Sequence, residues 1–127
     1  MFQDFPISAR LPASDLARAR AWYEEKLGLV PEVEDPGGLW YRTGGAWFLV
    51  FTTPAAGTAQ NTAAGWSIQG MEMEDLMSRM RARGVVFETY EMPGVEMRDG
   101  LAVMGSYKGA WFKDSEDNIL EITNLTV

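Results

Sequence analysis

The stretch of this chain that most resembles working chemistry is Phe112 to Ile122, FKDSEDNILEI, where a polar turn leads into an apolar run carrying one acid, Glu121. A carboxylate so placed can ligate a metal, act as a general base, contact a ligand or pair structurally. The chain contains no histidine and no cysteine, so the commonest general base, the commonest transition-metal ligand and every thiol chemistry are absent. Ser8, Ser67 and Ser106 have no histidine to activate them. Lys26, Lys108 and Lys113 stand in polar contexts, unlike a desolvated Schiff-base lysine. No glycine-rich phosphate loop is present. Two acidic groups, Glu32, Glu34 and Asp35, then Glu72, Glu74 and Asp75, read as solvated faces and helix-start charges.

What the chain supplies in quantity is aromatic and sulfur-bearing surface, with 5 tryptophans and 8 methionines. In AWFLVFT, strand alternation sets Trp47, Leu49 and Phe51 on one face and Phe48 and Val50 on the other. The same parity groups Trp66, Ile68 and Gly70, and likewise Ile119, Glu121 and Thr123. Arg10 follows Ser8 by two and shares its face, so Arg10, Tyr41 or Arg42 could pair with Glu121 if that acid is structural. Met92, Met97 and Met104 lie in or beside an irregular segment, where methionine's adaptability suits a flexible lid or a dimer contact.

These residues are held by a chain of 127 residues and 14.1 kDa, enough for one domain with one core. At 46% apolar and 23% charged, with no apolar run near the ~20 residues a bilayer requires, it reads as soluble with no membrane partner. A net charge of -7 disfavours nucleic acid as a partner. The start, MFQDFPISARL, carries neither a basic leader nor a hydrophobic signal segment, which reads as cytoplasmic. Two similar halves follow. The first runs from strand PISARLP to a helix capped at Ser14 or Asp15 and ended by Gly28, then to strands LVPEVE, LWYRT and AWFLVFT. TPAAGTAQNTAAG reads as a linker. The second repeats the plan: strand WSIQGM, helix EDLMSRMRARG, strand VVFETYE, irregular MPGVEMRDG, then strands within LAVMGSYKGAWF and NILEIT. The first module is expected at about residues 1–53, the linker at about 53–65 and the second module at about 65–127.

SDLARARAWYEEKLGLVPE closely resembles the first module of the vicinal oxygen chelate superfamily, the glyoxalase, bleomycin resistance and extradiol dioxygenase group, in its Asp-Leu pair, aromatic-Tyr pair and Leu-Gly-Leu. FKDSEDNILEI resembles that group's closing Phe-x-Asp-Pro-x-Gly-Asn-x-x-Glu signature, with Ser115 and Asp117 replacing its proline and glycine. The resemblance implies an α+β fold of two βαβββ modules, a curved mixed sheet around a cavity, and a homodimer. It also implies four inward positions that hold a divalent cation in the metal-dependent members. Carried onto this chain they are Ser8, Leu49 within a residue or two, Ile68 (or Trp66 or Ser67 if a bulge shifts register) and Glu121. One carboxylate among four such positions is too few for a transition-metal site, so no metal and no other cofactor is expected.

The resemblance therefore implies a metal-independent binding protein that sequesters a hydrophobic aromatic antibiotic or natural product. The alternative is a lyase, isomerase or biosynthetic enzyme of the same group with Glu121 as its acid or base. For the ligand, stacking surfaces are expected from Trp40, Trp47, Phe51, Trp66 and Trp111, and apolar walls from Leu49, Ile68 and Met104. Ser8, Arg10 and Glu121 would supply the polar contacts.

Overall fold

The computed structural model describes residues 1–125. In the first half, β1 (Ala9–Ala13) leads into α1 (Leu16–Leu27), followed by β2 (Val33–Asp35), β3 (Gly38–Thr43) and β4 (Ala46–Thr52). The helix begins and ends where its chemistry dictates. Asp15 is the N-cap and its side chain accepts from the Arg18 amide at 3.0 Å, while Gly28 closes the last turn in the left-handed region at φ 70°. The strand order is β1-β4-β3-β2, with β1 parallel to β4 and the remaining pairs antiparallel.

The second half contains β5 (Thr62–Ser67), α2 (Met73–Ala82), β6 (Phe87–Glu88), β7 (Glu96–Arg98), β8 (Leu101–Met104), β9 (Tyr107–Lys113) and β10 (Ile119–Thr123). Its order is β5-β10-β9-β8-β7, and β6 and β8 share one edge of β9, β6 beside Phe112 and Trp111, β8 beside Gly109 to Tyr107. Each half thus builds its own curved, mixed sheet, and β1 and β5 lie side by side without a ladder between them. Several elements depart from the sequence reading: MPGVEMRDG, expected to be irregular, contains β7, the strand expected over LVPEVE is confined to Val33–Asp35, and that over VVFETYE to Phe87–Glu88. The strand expected over WSIQGM begins at Thr62 instead, because small, unpatterned residues pair with β10 once that strand is in place. The second helix starts at Met73, so Asp75, expected to echo Asp15 as a helix start, lies in the first turn, and Glu72 occupies the N-cap without a side-chain cap bond.

Both helices cover the same side of the sheets. Leu11, Ala13, Leu39, Tyr41, Phe48 and Val50 from one sheet meet Leu101, Ala110, Phe112, Leu120 and Ile122 from the other in one apolar cluster, with Ala19 and Tyr23 of α1 and Met73, Met77 and Met80 of α2. Aromatic rings run through it without a break at the boundary between halves. Tyr41 stacks on Phe48 at 5.0 Å, Phe48 meets Trp66 edge-on at 6.3 Å, and Trp66 stacks on Phe112 at 6.4 Å.

The polar tie between the halves is the β9–β10 turn. Asp114, Glu116 and Asn118 are all buried. Asp114 accepts from the Glu116 and Asn118 amides, closing the turn, and from the Tyr23 hydroxyl at 2.7 Å. Asn118 donates to the Pro12 carbonyl at 2.9 Å. Glu116 accepts from the Ser14 amide at 2.9 Å, the Asp15 amide at 3.1 Å and the Arg18 guanidinium at 2.8 Å, and so satisfies backbone donors where α1 begins. Asp117 takes the position of the signature's glycine with φ 63°, a conformation aspartate tolerates better than most residues.

Burial alone would raise the Glu116 carboxyl, but the Arg18 guanidinium, the Asp15 amide, the Ser115 hydroxyl and the Ser14 amide outweigh it and bring it down to about 2. A carboxyl depressed by folding contributes stability that is fully present above its unfolded value near 4.5 and is lost as pH falls toward about 2. Glu116→Gln is expected to lower stability at neutral pH by about 2 kcal/mol, because buried donors lose a charged acceptor. Urea unfolding at a series of pH values checks this, since the difference from the parent chain should shrink across that acid window.

Candidate functional site

The faces turned away from the helices carry the chemistry. On the first sheet, Arg10 from β1, Trp40 and Arg42 from β3, and Trp47, Leu49 and Phe51 from β4 share this open face, because their neighbours Leu11, Tyr41, Phe48 and Val50 point into the core. Two arginines lie flat on two tryptophans. The Arg10 guanidinium is 4.9 Å from the Trp40 ring centre and that of Arg42 is 4.8 Å from Trp47. Arg42 also pairs with Glu32 at 2.8 Å, and Trp47 is 37% exposed. The chain therefore presents a broad aromatic surface whose cations are already held in place.

On the second sheet, Glu121 lies across from Trp111 on β9 and beside Gly65 on β5. Its Oε2 accepts from the Tyr107 hydroxyl at 3.3 Å. Of the structural partners expected for it, none is used: Arg10 and Arg42 lie on tryptophans, and Tyr41 is buried in the core. Two glycines make room for the pair. A β-carbon at Gly109 would collide with the Tyr107 hydroxyl, and one at Gly65 would stand 3.1 Å from the Glu121 carbonyl oxygen and 3.5 Å from its carboxylate. Trp111, expected to offer a stacking surface, is instead buried, with the Tyr90 ring edge-on against it at 5.8 Å. Met104 is paired with Tyr107 across β8 and β9 and is 53% exposed. Burial, then the Glu121 charge and its hydrogen bond, raise the Tyr107 hydroxyl above the ordinary tyrosine value, so at neutral pH it is a proton donor facing a proton acceptor.

Trp66 and Ile68 do not join this face. A register shift opposite Ile119 and Leu120 sets Ala64 beside Leu120, Gly65 beside Glu121 and Trp66 beside Ile122. Trp66 and Ile68 consequently pack against the core on the helix side, and Gly65 and Ser67 occupy the open face instead. Ser8 stands seven residues before the N-cap Asp15, and Gly65 stands seven before the N-cap Glu72. In the first sheet, continuing the β1–β4 register by one residue brings Ser8 opposite Trp47, not Leu49. By spacing and register, Ser8 and Trp47 on the first sheet occupy places equivalent to those of Gly65 and Glu121 on the second.

Serine, tryptophan, glycine and one glutamate do not fit a divalent cation, which requires several oxygen, nitrogen or sulfur ligands. Among the described residues no three carboxylates stand close enough to hold one. No helix among them is long and apolar enough to cross a membrane.

No family model matches the chain, and no curated protein matches it. Solved structures do. The FosX fosfomycin resistance protein of Listeria monocytogenes, in complex with Mn(II) and a dihydroxypropylphosphonic acid, superposes with a TM-score of 0.69 at 18% identity, over 97% of this chain and 92% of that one. FosX of Mesorhizobium loti gives 0.67 at 12%, over 98% and 94%. Lactoylglutathione lyase of Agrobacterium tumefaciens gives 0.68 at 18%, over 95% and 94%. At such identities the likeness is one of fold, spanning nearly the full length of both partners.

Two substitutions test the geometry on the second sheet. Glu121→Gln removes the charge beside Tyr107, so the ultraviolet titration of that tyrosine should move down toward the ordinary value while staying above it, since burial persists. Gly109→Ala should displace the Tyr107 hydroxyl and give the same downward movement with the carboxylate intact.

Proposed function

We propose that this chain, built on the vicinal oxygen chelate fold, binds a planar and largely apolar small molecule on its open sheet faces without a metal ion, and confers resistance by sequestering it. The observation that carries the proposal is the exchange at the four equivalent positions. Where a cation would need ligands there is one carboxylate, and where a ligand would need surface there are Trp40 and Trp47 beside fixed guanidiniums on one sheet, and the Tyr107–Glu121 pair, with Trp111 beneath Tyr90, on the other. Aromatic walls supply stacking area at small entropic cost, and a few fixed polar groups orient the ligand. Neighbours named for fosfomycin resistance support the resistance class.

Each open face is one wall, and a second copy of the chain closing over it would complete a cavity, so a homodimer is part of the proposal. The site set is Ser8, Arg10, Trp40, Trp47, Leu49 and Phe51 from the first sheet, with Met104, Trp111 and Glu121 from the second. Tyr107 and Gly65 belong to it as well, whereas Trp66 and Ile68 lie on the helix side.

One observation favours a second reading, an enzyme of the same fold. The Tyr107 hydroxyl and the Glu121 carboxylate form a donor and acceptor 3.3 Å apart, able to pass a proton to and from a bound substrate. The two readings part on the fate of the ligand. Sequestration predicts that anthraquinone-type polycyclic compounds quench tryptophan emission, bind one per site by calorimetry and are recovered unchanged by mass spectrometry. Trp47→Leu or Trp40→Leu should weaken that binding about 10-fold. A chemically altered ligand, with the change lost in Glu121→Gln, would establish the enzyme instead, and a stoichiometric divalent metal in the purified protein would overturn the metal-free reading.

A further inference from the structure

On the opposite side of the sheets, where the C-terminal ends of α1 and α2 approach each other, lies a cleft of about 350 Å³. Its walls are apolar: Leu27 at the end of α1 and Leu29 beyond it, Leu76 and Met80 of α2, and Trp66 and Ile68 from β5 and its end, the two residues that the open face excludes. Lys26, Arg79 and Arg83 line the same cleft, and no aspartate or glutamate does. The charges are brought together by the helix ends. Lys26 reaches from α1 to Gly84, where a β-carbon would stand 2.8 Å from its Nζ, and Arg83 reaches back from the end of α2 to Gly28, where a β-carbon would stand 3.3 Å from its guanidinium.

The state of the arginines is what distinguishes this cleft. In a chain with seven more acidic than basic side chains, six of the eight arginines are engaged. Arg10 lies on Trp40, Arg18 pairs with Glu116, Arg20 with Glu34, Arg42 with Glu32 and Arg98 with Glu96, while Arg81 donates to the Asp99 carbonyl. Arg79 and Arg83 make no side-chain hydrogen bond or ion pair among the described residues, although carboxylates are abundant on this surface. Lys26 has only Glu25, at 3.7 Å. The helix-end carbonyls favour cations in a last turn, but they do not account for the apolar cavity beneath them. The volume lies within the range of small-molecule sites.

We infer that this helix-side cleft is a second binding site, for an amphiphilic monoanion: a carboxylate held by Arg79, Arg83 and Lys26, with an aliphatic body lying along Leu76, Met80, Trp66 and Ile68. Guanidinium groups suit a carboxylate because their paired N–H donors match its two oxygens. The site is separate from the open faces, since the sheet itself stands between them, and its occupancy does not depend on what those faces bind.

Octanoate, with 1-octanol as the uncharged control, tests the inference by calorimetry and by the methyl resonances of Ile68 and Ile122. Octanoate should shift both methyl signals and bind at least ~10-fold more tightly than octanol, and the double variant Arg79→Ala with Arg83→Ala should weaken it by at least ~10-fold, the loss expected for removed charge-assisted hydrogen bonds. Both arginines are exposed, so folding is retained, and Arg98→Ala serves as the control whose octanoate affinity is unchanged. Equal affinity for octanoate and octanol, an unaltered affinity in the double variant, or no shift at Ile68 and Ile122 would overturn the site. Failure of aromatic compounds to bind the open faces would leave these shifts in place and tell against the sequestration reading alone.

Discussion

Everything in this molecule depends on the buried carboxylate of Glu116. It lies in the second half of the chain, yet its partners are the Ser14 and Asp15 amides and the Arg18 guanidinium of the first. A buried charge is tolerated only when it is fully hydrogen-bonded, and the donors available are those that a helix start leaves unpaired. The requirement of one half is therefore the surplus of the other. Asp114 on Tyr23 and Asn118 on Pro12 repeat the arrangement on either side, and the aromatic rings that cross between the halves are packed in the geometry these bonds set.

With the halves fixed on the helix side, the opposite faces are free to differ in chemistry without altering the fold. A hydrogen-bonded ladder accepts any side chain that its face can accommodate, so the four equivalent positions could hold Ser8, Trp47, Gly65 and Glu121 with little effect on the core. The substitutions change what the faces can do. Gly65 and Gly109 trade side-chain surface for space, and Tyr107 and Glu121 occupy that space. The excluded Trp66 is turned by the register shift at β5 and becomes both a link in the aromatic core and a wall of the helix-side cleft.

Much of this was legible in the residues. Asp15 and Gly28 delimit α1 because capping is local chemistry, and the alternation in AWFLVFT separates Phe48 and Val50 from Trp47 and Leu49 because the strand period is local too. The resemblance of FKDSEDNILEI carried the fold and placed Glu121 on an open face. What could not be read was register. Thr62 to Ala64 have no pattern of their own and are strand residues only because β10 pairs with them, and the shift that sends Trp66 and Ile68 to the helix side belongs to the pair of strands, not to either sequence. Likewise the partner of Glu121 is set by Gly109, whose missing side chain allows Tyr107 to reach across.

The bond between Glu116 and the start of α1 also bears on how the chain is made. It joins residues about a hundred positions apart, so the first half leaves the ribosome with the amides of Ser14 and Asp15 exposed and with Tyr23 lacking its acceptor. Contacts of such separation close late, after the entropy of the intervening loop has been met. Although the two halves follow one plan, neither is finished alone. The first waits for the last strands to be synthesised, and the period of vulnerability to misassembly lasts for most of translation.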